Sequence, residues 1–229
     1  MDQRQGEGIG ALRAQRADRF AATDLYPVTS AAFSEGRSTE TMVQAFLDAG
    51  VGLFQLREKN LTKLGYYELA RRVRAMVPAD VLMFCNDHID VALAVGADGV
   101  HLGRDDLPIE AARRIAPDLL IGASAHNLDE ALEAEAAGAD YVNIGPIFAT
   151  QTKAHLTEGL GPAAIVEIGS KLSVPFTVMG GIKEHNLDQV LEAEARHIAV
   201  VTAVTAAKDP MTAARRLRDR IRSWPQSAG

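Results

Sequence analysis

A chain of 229 residues, 47% hydrophobic and 24% charged, has the bulk for a sizeable buried core and suits one α/β barrel. Its formal net charge of −6 argues against nucleic acid or an anionic membrane as the main partner, although local positive patches can still bind small anions. A single cysteine, Cys85, excludes an internal disulfide framework, and the lack of any apolar run of about 18 residues predicts no transmembrane helix.

Residues 1–24 mix Asp, Arg, Gln, Glu and Gly and carry no apolar stretch of a secretory signal, so a cytoplasmic protein is expected. They read as an N-terminal extension, flexible or weakly helical, with Ala11 to Ala22 able to form a short helix. From Leu25 onward short apolar runs alternate with helix-period segments. The runs cover 25–28, 52–56, 81–84, 99–101, 120–122, 141–144, 176–179 and 197–200, and each predicts a strand. Between them, Leu69, Val73 and Met76 form a helical stripe, as do Leu128, Ala131, Leu132 and Ala136, and then Met211, Ala214, Leu217 and Ile221. Gly50, Gly96 and Gly138 close helices just before strands. Pro108 and Pro210 stand where helix first turns are expected, behind Asp106 and Asp209 near the cap. Cys85, inside an apolar run, reads as a small buried hydrophobe.

Eight β-then-α units over residues 25–222 predict a single (βα)8 TIM barrel of the α/β class, with a C-terminal tail at 223–229. A doubly wound open sheet is disfavoured because no Gly-x-Gly-x-x-Gly follows the first strand.

In such a barrel chemistry gathers where the βα loops meet, and the unusual polar residues follow strands repeatedly. After the second strand come Gln55, Arg57 and Lys59. Arg57 and Lys59 flank Glu58 at strand spacing and so point the same way. Two cations and an amide suit a pyrophosphate-sized anion, the plain alternative being a solvated strand end. Glu58 between them is expected to point away and serve structure. Asn86-Asp87-His88 follows the third strand, and the fourth leads into His101 and Asp105-Asp106. Asp87 and Asp106, on adjacent loops, suggest Mg²⁺; helix capping is the competing role, and Asp105 is the alternative to Asp106. His88 and His101 lack zinc-site spacing, and His101 reads as a residue that shapes a pocket. Ser124 and His126 follow the fifth strand. The loop 145–161 after the sixth is long, holds Thr150, Thr152 and Lys153, and reads as a lid. Gly180-Gly181 and the Val201-Thr202 turn fit a barrel phosphate site, built from backbone N–H groups and the N-terminus of a following helix. The plain alternative there is a glycine turn chosen for its backbone angles. Two anion sites are therefore expected, one at strands 2–4 with metal and cations, one at strands 7–8 without.

The ordered set Gln55-Leu56-Arg57-Glu58-Lys59, Asn86-Asp87, Gly99-Val100-His101-Leu102-Gly103-x-x-Asp106, Gly122-x-Ser124-x-His126, Gly145-Pro146-Ile147-Phe148-x-Thr150-x-Thr152-Lys153 and Gly180-Gly181-Ile182 resembles the thiamin phosphate synthase family over residues 26–218. The resemblance implies a (βα)8 barrel. It also implies an enzyme that joins hydroxymethylpyrimidine diphosphate to thiazole phosphate with Mg²⁺, giving thiamin phosphate and pyrophosphate through a dissociative pyrimidine-cation mechanism. By resemblance, Gln55, Arg57, Lys59, Asn86 and Lys153 hold the pyrimidine diphosphate, and Asp87 and Asp106 carry Mg²⁺. Ser124 lies against the pyrimidine or the leaving diphosphate. Thr150 and Thr152 contact the thiazole phosphate, whose phosphate sits on Gly180, Gly181 and the backbone of Val201 and Thr202. Arg57, Lys59, Ser124 and Lys153 are then the catalytic set. Residues 154–161 depart from the Lys-rich stretch usual in that family. Alternatives are a thiazole tautomerase-like isomerase using His126 as acid and base, a non-catalytic phosphate-ligand binder, and, on fold alone, a sugar-phosphate isomerase or aldolase. The expected partners are small molecules, with a homo-oligomer left open.

Overall fold

Each apolar run becomes a strand, and each strand leads into a helix, in the computed structural model, which describes residues 3–150 and 158–225. The strands are β1 (Leu25–Pro27), β2 (Leu53–Leu56), β3 (Leu82–Asn86), β4 (Gly99–Leu102), β5 (Leu120–Ala125), β6 (Tyr141–Ile144), β7 (Phe176–Val178) and β8 (His197–Val200). They pair in parallel in the order β1-β8-β7-β6-β5-β4-β3-β2. Val28 bridges the gap to β2 at Gln55, and the Thr29 amide donates to the Gln55 carbonyl at 2.9 Å, so the sheet is nearly closed. The expected (βα)8 barrel is the observed fold.

The helices are α1 (Gln3–Ala21), α2 (Thr39–Asp48), α3 (Lys63–Met76), α4 (Ile89–Val95), α5 (Ile109–Ile115), α6 (Leu128–Ala136), α7 (Ala163–Gly169), α8 (Leu187–Glu192), α9 (Thr202–Thr205) and α10 (Pro210–Ser223). Short polar side chains start several of them: Ser38, Thr62, Asn127 and Asp209 accept backbone N–H groups of α2, α3, α6 and α10. Pro210 opens α10 directly behind the Asp209 cap, as its position in the sequence predicts. Among the described residues no helix is long and apolar enough to cross a membrane.

Two cores result. The outer one packs the helices against the barrel wall, with Val43, Phe46, Val73 and Leu217 among its members. The inner one fills the barrel with Tyr26, Leu53, Leu82, Phe84, Leu120 and Tyr141. Tyr141 fits because its neighbour on β5 is Gly122: a Cβ there would lie 2.0 Å from the tyrosine ring.

The N-terminal extension is helical, as Ala11 to Ala22 allowed, and the helix is longer than expected: 19 residues lie across the N-terminal mouth of the barrel. Phe20 plugs that mouth, stacked 4.6 Å from Tyr141 between ring centroids. Arg13 pairs with Asp140 at 2.7 Å and Arg16 with Asp98 at 3.4 Å. Arg16 and Arg19 also donate to the carbonyls of Asp118 and Ala79. The helix docks through one aromatic side chain and three arginines, so it has no broad apolar stripe to reveal it.

Candidate active site

The C-terminal ends of the strands enclose a cavity of about 620 Å³. Gln55, Arg57, Lys59, Asn86, Asp87, Asp106, Ser124, Thr150, Gly180, Gly181, Val201 and Thr202 all line it, so the structure gathers these predicted residues on one rim. Thr152 and Lys153 lie outside the described residues, as does the middle of the expected lid, residues 151–157. The ends of that loop are pinned: the amides of Ile147 and Phe148 donate to the carbonyls of Met179 and Gly180, and Leu160 donates to Pro146.

On the β2 side, the Arg57 amide donates to Thr29 Oγ1 at 2.9 Å, which fixes the chain where it leaves the strand. Burial pulls the Arg57 guanidinium below its ordinary pKa, while Asp87 and Glu58 push it back up. Glu58 turns away, as expected, although β2 ends at Leu56 and residues 57–59 lie beyond the strand. Its carboxylate accepts the Ala31 amide and the Thr39 hydroxyl, both at 2.8 Å, and ties the first loop to α2. Lys59 reaches back into the cavity and pairs with Asp87.

Asp87 takes a left-handed backbone, φ 61°, a conformation that costs a non-glycine residue roughly 1 kcal/mol or more. Its carboxyl is near enough to that of Asp106 to disfavour ionisation there. Burial and the neighbouring Asp87 raise the Asp106 pKa, against the Gly103 amide, which donates to Asp106 Oδ2 at 2.7 Å, and against Lys59. Neither carboxylate caps a helix: the N-cap of α4 is His88 and that of α5 is Pro108, each without a side-chain cap bond. Two neighbouring carboxylates on one cavity wall, with one resisting ionisation, form a site that a hard divalent cation would relieve. Among the described residues no third His, Cys, Asp or Glu joins them, so such a cation would draw its other ligands from water and phosphate oxygens, as Mg²⁺ prefers. Asp105 also lines the cavity but is exposed.

A buried polar chain crosses the barrel beneath these groups. Gln55 Nε2 donates to Tyr26 Oη at 3.0 Å, Tyr26 Oη meets Tyr141 Oη at 3.0 Å, Tyr141 Oη meets His101 Nδ1 at 2.8 Å, and His101 Nε2 meets Ser124 Oγ at 2.9 Å. Burial raises both tyrosines above their ordinary pKa, which keeps their hydroxyl protons in place. With Gln55 as donor at one end, Tyr26 donates to Tyr141 and Tyr141 to His101 Nδ1. The imidazole then presents Nε2–H to Ser124 and leaves the serine proton for the cavity. His101 thus shapes the pocket, as expected, by joining its two walls. Tyr26 and Tyr141 escape sequence reasoning because a tyrosine in an apolar strand looks like packing; the signal was a hydroxyl at positions otherwise held by Leu and Phe.

His126 also faces the cavity, its Nδ1 2.9 Å from Glu130 Oε2. Burial works to raise the Glu130 pKa, but the His126 amide and imidazole and Arg104 bring it below the ordinary range.

At the β7–β8 end, Gly180 and Gly181 have φ of 104° and 63°. A Cβ on Gly180 would lie 2.4 Å from Pro146, and one on Gly181 2.6 Å from the Ala149 carbonyl. Glycine is therefore required both for the backbone angles and for close packing under the 145–149 loop. The helix expected to favour an anion there, α9, is a single turn of four residues and gathers little dipole. A cation stands nearby instead: Lys183 Nζ donates to Thr202 Oγ1 at 2.5 Å.

The family model described as thiamine monophosphate synthase matches residues 25–204, from β1 into α9. The chain belongs to the thiamine monophosphate synthase family. Within that family it is 45% identical over 195 residues to the thiamine-phosphate synthase of Chloroflexus aurantiacus, covering 85% of this chain and 90% of that one. It is 44% identical to the enzyme of the same name from Shouchella clausii over 195 residues, covering 84% and 93%. Among solved structures it resembles the thiamine phosphate pyrophosphorylase from Pyrococcus furiosus, with a TM-score of 0.81 and 36% identity over 90% of this chain and 97% of that one. A 3-hexulose-6-phosphate synthase, at 22% identity and a TM-score of 0.64, shares the fold. The family match begins after α1, which leaves the helix across the barrel mouth outside it.

Proposed function

We propose that this chain is a Mg²⁺-dependent, cytoplasmic thiamine-phosphate synthase. It would transfer the aminopyrimidinylmethyl group of hydroxymethylpyrimidine diphosphate to the ring nitrogen of thiazole phosphate and release pyrophosphate. The observation that carries the proposal is the single rim holding Gln55, Arg57, Lys59, Asn86, Asp87, Asp106 and Ser124 in a member of this family.

In this account the carbon–oxygen bond to the diphosphate breaks first, and its electron pair leaves with pyrophosphate. The aminopyrimidine stabilises the methylene cation that remains, and the lone pair of the thiazole nitrogen then forms the new carbon–nitrogen bond. No side-chain nucleophile is needed. Arg57 and Lys59, joined by Lys153 on the family resemblance, face the charge that develops on the departing diphosphate. Asp87 and Asp106 would hold Mg²⁺, which supplies further stabilisation of the diphosphate oxygens when bound. Gln55 and Ser124, whose hydrogen-bond directions are set by the buried chain behind them, orient the pyrimidine diphosphate together with Asn86. Thr150 and Thr152 face the thiazole phosphate, and the backbone of Gly180, Gly181, Val201 and Thr202 receives its phosphate.

An isomerase like the thiazole tautomerases would use His126, oriented by Glu130, as its acid and base. That reading leaves the carboxylate pair and the Arg57 and Lys59 cations without a task. The test is direct. Purified protein is incubated with Mg²⁺ and both substrates, and thiamin phosphate and pyrophosphate are quantified. Equimolar formation of both is expected; no product above the enzyme-free control refutes the synthase.

A further inference from the structure

Beside the β7–β8 end of the cavity, bonded to the lining residue Thr202, stands a charge that the backbone account of phosphate binding leaves unused. Lys183 follows Gly180, Gly181 and Ile182 on the turn after β7. Its position is fixed from behind: its amide donates to Asn186 Oδ1 at 2.7 Å, and Asn186 Nδ2 donates to the Gly181 carbonyl at 3.0 Å. Asn186 itself is buried. The ammonium group then bonds Thr202 Oγ1, and Thr202 lines the cavity.

Among the described residues this ammonium has no carboxylate partner. Burial lowers its pKa, and no neighbouring negative charge opposes that shift. A partly desolvated ammonium with one of three donors engaged has donors left to bind an anion. The contrast with the β2 side is clear: Lys59 is already paired with Asp87. The single-turn α9 offers little dipole, so Lys183 is the charge available at this end.

We propose that Lys183 is a substrate-binding cation whose ammonium, steered by Thr202, pairs with the phosphomonoester of the acceptor substrate and sets the preference for a phosphorylated over an unphosphorylated acceptor. The proposal rests on the synthase reading for the identity of that acceptor. The ligand chemistry itself, a phosphate dianion beside Gly180 and Gly181, comes from the site.

The experiment is calorimetric titration of the full chain with thiazole phosphate and with the unphosphorylated thiazole alcohol, for wild type, Lys183→Met and Lys183→Arg. Loss of one charge-assisted contact should weaken binding of the phosphate ester to Lys183→Met about tenfold. Binding of the alcohol should be unchanged, and Lys183→Arg should recover most of the loss. In turnover, Lys183→Met should raise KM for thiazole phosphate about tenfold and leave KM for the pyrimidine diphosphate unchanged. If Lys183→Met binds the ester as tightly as wild type, or loses ester and alcohol equally, the proposal is overturned. Binding needs no chemistry, so failure of the synthase assay is a separate result. Should wild type not bind thiazole phosphate, inorganic phosphate is the probe: Lys183-dependent binding sustains the proposal, and its absence ends it.

Discussion

The Tyr141 hydroxyl stands between the two walls of the cavity, bonded to Tyr26 on one side and to His101 on the other. Replacing it with hydrogen takes one hydrogen bond from each of two buried partners. Tyr141→Phe should cost about 1–3 kcal/mol of stability in urea unfolding. It should also lower kcat/KM about tenfold, because Gln55 and Ser124 lose their common support. Unchanged kinetics would show that the chain serves packing alone. At this scale the sequence was legible where polarity follows an apolar run: Gln55, Arg57, Asp87, Asp106 and Ser124 stand at strand ends and meet in the cavity. It was illegible where chemistry hides inside a strand, as at Tyr26 and Tyr141, and where a cation lies beyond a glycine turn, as at Lys183. Glu58 turns away as expected, but not by strand alternation: β2 ends at Leu56, and the Ala31 amide and Thr39 hydroxyl hold its carboxylate.

Elements follow their local signals unless a tertiary contact overrides them. β5 runs to Ala125, three residues past its apolar start at 120–122, so Ser124 belongs to the strand and is held more rigidly than a loop residue. α6 is out of phase with its expected stripe: Leu132 is 39% exposed, while Ala131 and Ala134 face the barrel. Small residues let this helix approach closely, and the bulkier Leu132 misled the periodicity. Gly122 illustrates the same dependence on a neighbour. Gly122→Ala should cost roughly 3 kcal/mol or more, read as a lower melting temperature or loss of soluble protein, because the added methyl enters the Tyr141 ring.

α1 carries its own testable link to the floor of the barrel. His197 contacts the Thr23 carbonyl through Nδ1 at 2.9 Å, and its ring lies 5.4 Å from that of Phe20. Burial holds the His197 pKa below its ordinary 6.5, outweighing Thr23 and Asp24. The folded chain keeps the ring neutral at pH values where the unfolded chain takes up a proton. The unfolded state therefore binds more protons below about pH 6.5, and stability falls as the pH drops from 7 towards 5. His197→Gln should show a smaller drop in urea midpoint over that range than wild type. An equal drop would place the titrating group elsewhere.

Across the whole molecule, the barrel divides its labour between its ends. The N-terminal mouth is closed by Phe20 and the arginines of α1; the C-terminal mouth is open and carries the charged rim. Eight repeats of one unit made the architecture plain from the sequence, whereas α1 docks through long-range ion pairs that no local pattern reports. The central claim is that the Asp87 and Asp106 pair, with the Arg57 and Lys59 cations, expels pyrophosphate from the pyrimidine substrate. Pyrophosphate release should be measured for wild type and Asp87→Ala side by side, with both substrates and increasing Mg²⁺. The account predicts Mg²⁺-dependent release by wild type, and in Asp87→Ala a loss of about a hundredfold or more that excess Mg²⁺ does not restore. Release by Asp87→Ala at the wild-type rate would contradict it.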